Sequence, residues 1–175
     1  MHTKNKLLLL LTSLRKDTIM DPKRISDSLT EQVQILMPCH INGTDRLFGG
    51  QLLEWIDVVA AVVARRHSGC NVTTAAIDNL LFKAGAYLNN TLVIIGRITY
   101  VGNTSMEVRV DTYVEDLSGI RKVVNRAYLV LVALGESGTP TEVPRLILET
   151  ESERAEWDAG KKRHTLRHKR RKEGY

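Results

Sequence analysis

From Leu52 to Ala64 the chain is apolar on nearly every helical face, broken only by Glu54 and Asp57. A helix hydrophobic all round belongs in an interior, so the segment predicts a buried helix over about residues 50–66. Leu47-Phe48-Gly49-Gly50 opens it, and Gly69 supplies a favourable C-terminal stop. Its length, roughly 25 Å at helical rise, suits the central helix of a small domain. Upstream, residues 30–37 alternate as a strand that Pro38 stops. Downstream everything reads as strand: 72–82, 91–101, 105–115 and 122–134. The segment 105–115 alternates most cleanly, with Met106, Val108, Val110 and Val114 on one face and Glu107, Arg109, Asp111 and Tyr113 on the other. Residues 149–160 predict a short helix.

A strand, a buried helix and four strands with short connections favour an antiparallel meander curled around the helix. One chain's sheet cannot cover every face of such a helix, and a second copy is the natural cover. The pattern therefore predicts an α+β domain that dimerises. Residues 1–29 read as a flexible N-terminal extension, 30–148 as the domain, and 149–175 as a C-terminal helix with a basic tail.

The chain has 175 residues, one domain by length, with an ordinary balance of apolar and charged residues. Cys39 and Cys70 fit no metal or redox spacing, which favours a reducing, cytoplasmic setting. The formal charge of +5 is local. Residues 161–175 hold eight basic side chains and one acidic one, so the rest of the chain carries a net −2. Such a tail predicts a solvated, mobile end whose removal leaves the fold intact. Leu7 to Leu11 is too short for a signal core or a membrane span, and Met20 is an alternative start.

Asp57 is the residue out of place. A carboxylate among apolar neighbours is costly unless paired or protonated, and such residues are candidate general bases. No phosphate-binding loop and no dinucleotide fingerprint is present. Gly135-Glu136-Ser137-Gly138 reads as a turn rather than a nucleophile elbow. His164 and His168 lack further ligands beside them, so no metal is expected. His40 and His67 read as structural or capping residues.

With Asp57 in place, the stretch from His40 to Asp57 (His40-Ile41-Asn42-Gly43-Thr44-Asp45-Arg46-Leu47-Phe48-Gly49-Gly50, then Leu52, Trp55 and Asp57) resembles the signature of hotdog-fold acyl-coenzyme A thioesterases. The likeness continues through Val72 to Phe82 and Thr99 to Val108. It implies five antiparallel strands wrapped around one long central helix. The family usually has glycine where this chain has Asp45, asparagine or aspartate at Arg46, and often arginine at Asn103.

The expected activity is hydrolysis of acyl-CoA to free acid and CoA, with no cofactor beyond the CoA of the substrate. Asp57 is expected to activate water. The amides of Gly49 and Gly50, at the helix amino end, are expected to meet the developing oxyanion. Asn42 alone reads as a loop residue bonding its own backbone; the resemblance favours a donor to the carbonyl or to water. Asp57 lies about 10 Å along the helix from Gly50, which favours a site shared between subunits of a dimer, and the resemblance suggests a trimer of dimers. Lys83, the Asn103-Thr104-Ser105 turn and the basic tail are expected to contact CoA, although Thr104 and Ser105 equally suit a simple turn. The competing readings are a hotdog hydratase or dehydratase, which normally pairs a histidine with the helix acid, and a non-catalytic acyl-CoA-binding regulator. No specific nucleic-acid contact and no transmembrane segment are expected.

Overall fold

The computed structural model describes residues 20–174. Strand β1 (Lys23–Arg24) is followed by β2 (Thr30–Ile35), helix α1 (Gly49–Ser68), then β3 (Asn71–Phe82), β4 (Thr91–Val101), β5 (Ser105–Glu115), β6 (Arg121–Leu134), β7 (Leu146–Ile147) and helix α2 (Glu151–Glu173). The main elements lie within a few residues of the periodicity reading. Gly69 ends α1 in the left-handed conformation, φ 69°, and donates to the Arg65 carbonyl, as expected of a glycine stop.

Five antiparallel strands in the order β2-β4-β5-β6-β3 form a curled sheet, and α1 packs against all five. Only β4-β5-β6 is a meander. The expectation that β3 would lie beside β4 is corrected: β3 pairs with β6 at the far edge. The connection 83–90 crosses the end of the sheet, tied by hydrogen bonds from Leu47 N to Ala86 O and from Leu36 N to Asn90 O. Eight residues easily span the roughly 14 Å between these strand positions.

Leu52, Ile56, Val59 and Val63 of α1 meet Ile94, Ile98, Met106, Val108, Leu129 and Leu131 of the sheet in one buried core. Gly96 sets the distance between helix and sheet. A Cβ there would lie 2.8 Å from Val59 Cγ1 and 2.9 Å from Val63 Cγ2. The opposite face of α1 (Glu54, Asp57, Val58, Ala61 and Arg65) is exposed or half-exposed. Within one chain the helix is therefore covered on one side only.

The polar face of β5 is not a solvated face. Helix α2 lies over it, and Glu107 and Asp111 have fully buried side chains. Arg163 and Arg167 reach Glu107 at 2.8 and 2.7 Å, and Thr99 Oγ1 donates to it at 2.8 Å. Asp111 is surrounded by Arg97, Arg109 and Arg126 at 2.9, 2.8 and 2.6 Å. Burial works against its charge, but the hydrogen bonds from Arg126 and the charge of Arg109 win and hold its carboxyl below the usual range. Trp157 packs on Tyr100 with ring centroids 4.6 Å apart, and Gly160 allows the close approach, since a Cβ there would meet Tyr100 Cβ at 2.7 Å.

Two expectations about the chain ends change. The helix predicted to end near residue 160 continues to Glu173, and the first part of the basic tail is docked through Arg163 and Arg167. Residues 23–29, read as part of a flexible extension, belong to the fold. β1 pairs in parallel with β7, Ser28 is buried, and Arg66 donates to the Leu29 carbonyl. Residues 1–19, the leucine run among them, lie outside the described residues.

Replacing both Arg163 and Arg167 by methionine keeps their aliphatic bulk and leaves Glu107 covered without a cation. Unfolding free energy should fall by about 3–5 kcal/mol, read by denaturant melts. Adding Glu107→Gln should recover part of the loss by removing the unpaired charge. For the same reason, deletion of residues 161–175 should lower the melting temperature rather than leave it unchanged.

His67 is fully buried, with Nε2 3.0 Å from the Pro144 carbonyl oxygen. Burial lowers its pKa below the ordinary 6.5, so the folded state holds it neutral. Below that pH the unfolded chain takes up a proton that the folded one refuses, and stability falls. Unfolding free energy should therefore drop between about pH 7 and pH 5. His67→Gln should flatten this slope, leaving the share of His164, whose pKa burial and the neighbouring His168 and Arg167 also lower.

Candidate active site

The loop from Asn42 to Gly49 is built around one side chain. Asn42 Oδ1 accepts from Thr44 N at 3.0 Å, Thr44 Oγ1 at 2.8 Å and Arg46 N at 3.2 Å. The backbone closes the same turn through Asn42 N to Arg46 O, 2.7 Å. Asn42 thus does bond its own loop, but only through Oδ1. That arrangement fixes the amide, and Nδ2 has no partner among the described residues. Asp45 has φ 58°, a conformation that favours glycine or a short polar residue, which accounts for the glycine usual at this point in the resembling family.

His40 accepts from Met37 N through Nδ1 at 3.0 Å and packs edge-on against Trp55, the structural role expected of it. Phe48 precedes the helix without a side-chain cap. The first-turn amides of α1, including those of Gly49 and Gly50, are left without intrahelical acceptors.

Between this loop and the 83–90 crossing lies a cavity of about 500 Å³. Asn42 and Gly49 line it, with Arg46, Lys83 and Tyr87 among the polar groups and Leu47, Leu52 and Val124 among the apolar ones. Gly50 does not line the cavity, and a Cβ on it would strike the Phe48 ring at 2.6 Å.

Asp57 is elsewhere. It sits on the open face of α1, half-buried within the single chain, and accepts from Thr74 Oγ1 at 2.7 Å. The apolar run surrounding Asp57 faces the sheet on one side only, so the single chain leaves the carboxylate half-buried. Thr74, on edge strand β3, escaped the sequence reading, because a threonine in a strand carries no signal until the helix beside it is placed.

The four expected CoA contacts also divide. The Asn103-Thr104-Ser105 turn and Lys83 stand near opposite ends of the sheet, because Ser105 pairs with Val132 whereas Lys83 N donates to Val124 O. Arg145 joins the turn, its guanidinium donating to Gly102 O at 3.1 Å and Asn103 Oδ1 at 3.3 Å. Among the described residues, no group of three or more histidine, cysteine or acidic side chains is placed to hold a metal, and no helix is long and apolar enough to cross a membrane.

A family profile, Thioesterase superfamily, matches residues 45–119. An uncharacterised acyl-CoA thioester hydrolase of Bacillus subtilis (strain 168) is 35% identical over 119 residues, which cover 67% of this chain and 69% of that protein. The chain belongs to the acyl-CoA thioesterase family. An apo-hexameric acyl-CoA thioesterase structure is 34% identical, with a TM-score of 0.82 over 86% of this chain and 97% of its own. The acyl-CoA hydrolase of Staphylococcus aureus, solved with butyryl coenzyme A, coenzyme A and coenzyme A disulfide, is 31% identical, with a TM-score of 0.83 over 87% of this chain and 93% of its own. Variants of that hydrolase with one aspartate, one threonine or one asparagine replaced by alanine have also been solved. The chain spans about a quarter of the mouse acetyl-coenzyme A thioesterase, to which it is 30% identical over 135 residues. The fold of this family, a curled antiparallel sheet around a long helix, is the fold described above.

Only the Oδ1 half of the Asn42 amide bonds the loop. Asn42→Asp keeps the acceptor that organises the loop and should change stability by less than about 1 kcal/mol, whereas Asn42→Ala removes three hydrogen bonds and should cost about 1–3 kcal/mol. Thermal melts of both variants provide the comparison.

Proposed function

We propose that this protein hydrolyses acyl-CoA thioesters at sites shared between two copies of the chain. The observation that carries the reading is the division of the catalytic groups. Asn42 and Gly49 share a cavity, while Asp57 and Thr74 form a pair on the open face of α1 beside edge strand β3.

Strand β3 has an unpaired edge, and its Ile77, Leu81 and Phe82 are exposed, as are Phe48 and Val58 nearby in sequence to α1's amino half. A long apolar edge invites pairing with another strand. If two copies of β3 pair antiparallel about a two-fold near Asp78, Thr74 of one falls opposite Phe82 of the other. Phe82 touches the position of Gly49 (3.4 Å from a Cβ built there) and lines the cavity. The Asp57–Thr74 pair of one subunit then meets the Asn42–Gly49 cavity of its partner. The alanine variants of the Staphylococcus aureus hydrolase fit this grouping: its asparagine, aspartate and threonine are separated by fifteen and seventeen residues, the spacings between Asn42, Asp57 and Thr74.

In this arrangement Asp57, oriented by Thr74, takes a proton from water as the water oxygen attacks the thioester carbonyl. Asn42 Nδ2 and the Gly49 amide hold the carbonyl oxygen as it gains negative charge, with Gly50 adding the field of the helix amino end. The tetrahedral intermediate collapses by breaking the C–S bond, and the departing thiolate takes up the proton held by Asp57 and leaves as free CoA, which returns Asp57 to the carboxylate. No cofactor enters these steps. The Asn103-Thr104-Ser105 turn, with Arg145, suits the phosphate end of CoA. It lies two strands across and three residues along from Thr74, roughly 14 Å, a distance the extended pantetheine arm covers. Further assembly into a trimer of dimers accords with the hexameric relative, and a cytoplasmic setting with the cytosolic acyl-CoA hydrolases it resembles.

Asp57→Asn should lower kcat about 10²-fold or more with the fold intact, measured by release of free thiol from a panel of acyl-CoAs. Near-normal turnover would remove Asp57 from the chemistry. Mixing Asn42→Ala and Asp57→Ala proteins under subunit exchange should recover about a quarter of wild-type activity, because half the dimers are mixed and each has one intact site. No recovery after verified exchange would place both residues in one subunit's site.

A further inference from the structure

The cavity behind Asn42 holds charge that thioester hydrolysis does not require. Leu47, Leu52 and Val124 give it an apolar lining, yet Arg46 and Lys83 share it. Among the described residues neither cation is paired with a carboxylate. Nor does the Arg46 side chain hold the loop together, since the turn uses only its backbone N and O. Two unpaired cations sharing one cleft raise the local potential and favour an anion between them.

The phosphates of CoA are poorly placed to be that anion. With the thioester carbonyl at Asn42, the pantetheine arm carries them well beyond a cavity of about 500 Å³. A separate cationic turn, Asn103 with Arg145, stands at the far end of the sheet. What remains in the cavity is the acyl group. Resting on the thioesterase reading above, we propose that this cavity selects acyl groups bearing a carboxylate, so that the preferred substrates are CoA thioesters of dicarboxylic acids. Arg46 is the specificity-determining residue, and Lys83 supports it. A planar guanidinium matches a carboxylate with two parallel hydrogen bonds, which an ammonium or an amide cannot reproduce.

The test compares glutaryl-CoA with pentanoyl-CoA, equal in carbon number and different by one carboxylate, in the wild type, Arg46→Gln and Arg46→Lys. The same pairs are run as N-acetylcysteamine thioesters, which lack every phosphate. The wild type should favour the glutaryl over the pentanoyl thioester by roughly tenfold or more in kcat/KM in both series. Arg46→Gln should collapse that ratio, mainly through KM, and Arg46→Lys should restore part of it. Melting curves establish that the variants are folded; the loop's hydrogen bonds survive either change. A wild-type ratio near one, or a ratio indifferent to Arg46→Gln, overturns the proposal. So does a loss that strikes both acyl groups equally on CoA and vanishes on the phosphate-free thioesters, which would assign Arg46 to the phosphates of CoA. Turnover of none of the thioesters overturns the thioesterase reading itself, and this proposal with it; turnover without discrimination overturns this proposal alone.

Discussion

The rest of the structure depends on an incomplete burial. Helix α1 is apolar on more faces than a single five-stranded sheet can cover, so half of its surface packs on the core and the other half is open. The open half carries Asp57, and the sheet edge beside it, β3, is long, unpaired and apolar at Ile77, Leu81 and Phe82. A hydrophobic face and an unsatisfied backbone edge on the same side of a domain have a common remedy, a second copy related by a two-fold. The Asp57–Thr74 pair lies where the single chain leaves apolar surface uncovered, which is the position the proposed shared site requires.

The opposite face of the sheet solves the reverse problem. Glu107, Arg109 and Asp111 alternate outward along β5 as solvent-facing residues do, yet α2 reaches Glu107 and Arg109 and three strand arginines enclose Asp111. Helix α2 has almost no apolar stripe of its own beyond Trp157 and could not dock by hydrophobic burial alone. It docks by charge, with Arg163 and Arg167 converging on Glu107 and Glu156 bridging Arg109, Tyr128 and Arg163. Buried ion pairs of this kind are weak sources of net stability but strict about geometry, because each unpaired member is costly. They fix the position of α2 more than they strengthen the fold.

This division explains what could be read from the sequence and what could not. Helix α1 and strands β4, β5 and β6 were legible because their packing is hydrophobic and hydrophobic packing leaves a period. The placement of β3 at the far edge was not, because strand order depends on which end of the sheet the 83–90 connection crosses, and composition does not encode that. Helix α2 was legible only to Gly160. Beyond it the residues that dock are arginines, and an arginine bound to a buried glutamate looks in sequence like any solvated one. Asp57 stood out as an acid in apolar company, and Asn42 and Gly49 through the resemblance carried by their loop. Thr74 lay inside a resembling block but was not marked out within it, and Arg145 had no signal: each is placed by a partner distant in the chain, Asp57 for one and the Gly102-Asn103 turn for the other.

The loops around the cavity carry the clearest sign that their shape is under constraint. The non-glycine residues with positive φ among the described residues are Asp45 and Asn89, at 58° and 64°. One lies in the 42–49 loop and the other in the 83–90 crossing, the two segments that enclose the cavity. Left-handed backbone disfavours any residue with a Cβ, and aspartate and asparagine tolerate it best. Such conformations persist where surrounding bonds over-determine them. Around Asp45 those bonds are the three donors on Asn42 Oδ1; around Asn89 they are its own N to Leu36 O, and Asn90 Oδ1 accepting from Tyr87 N. The hydrogen bonds around Asp45 also fix the Asn42 amide at the cavity, which Arg46 and Lys83 line from the two loops while staying exposed to solvent.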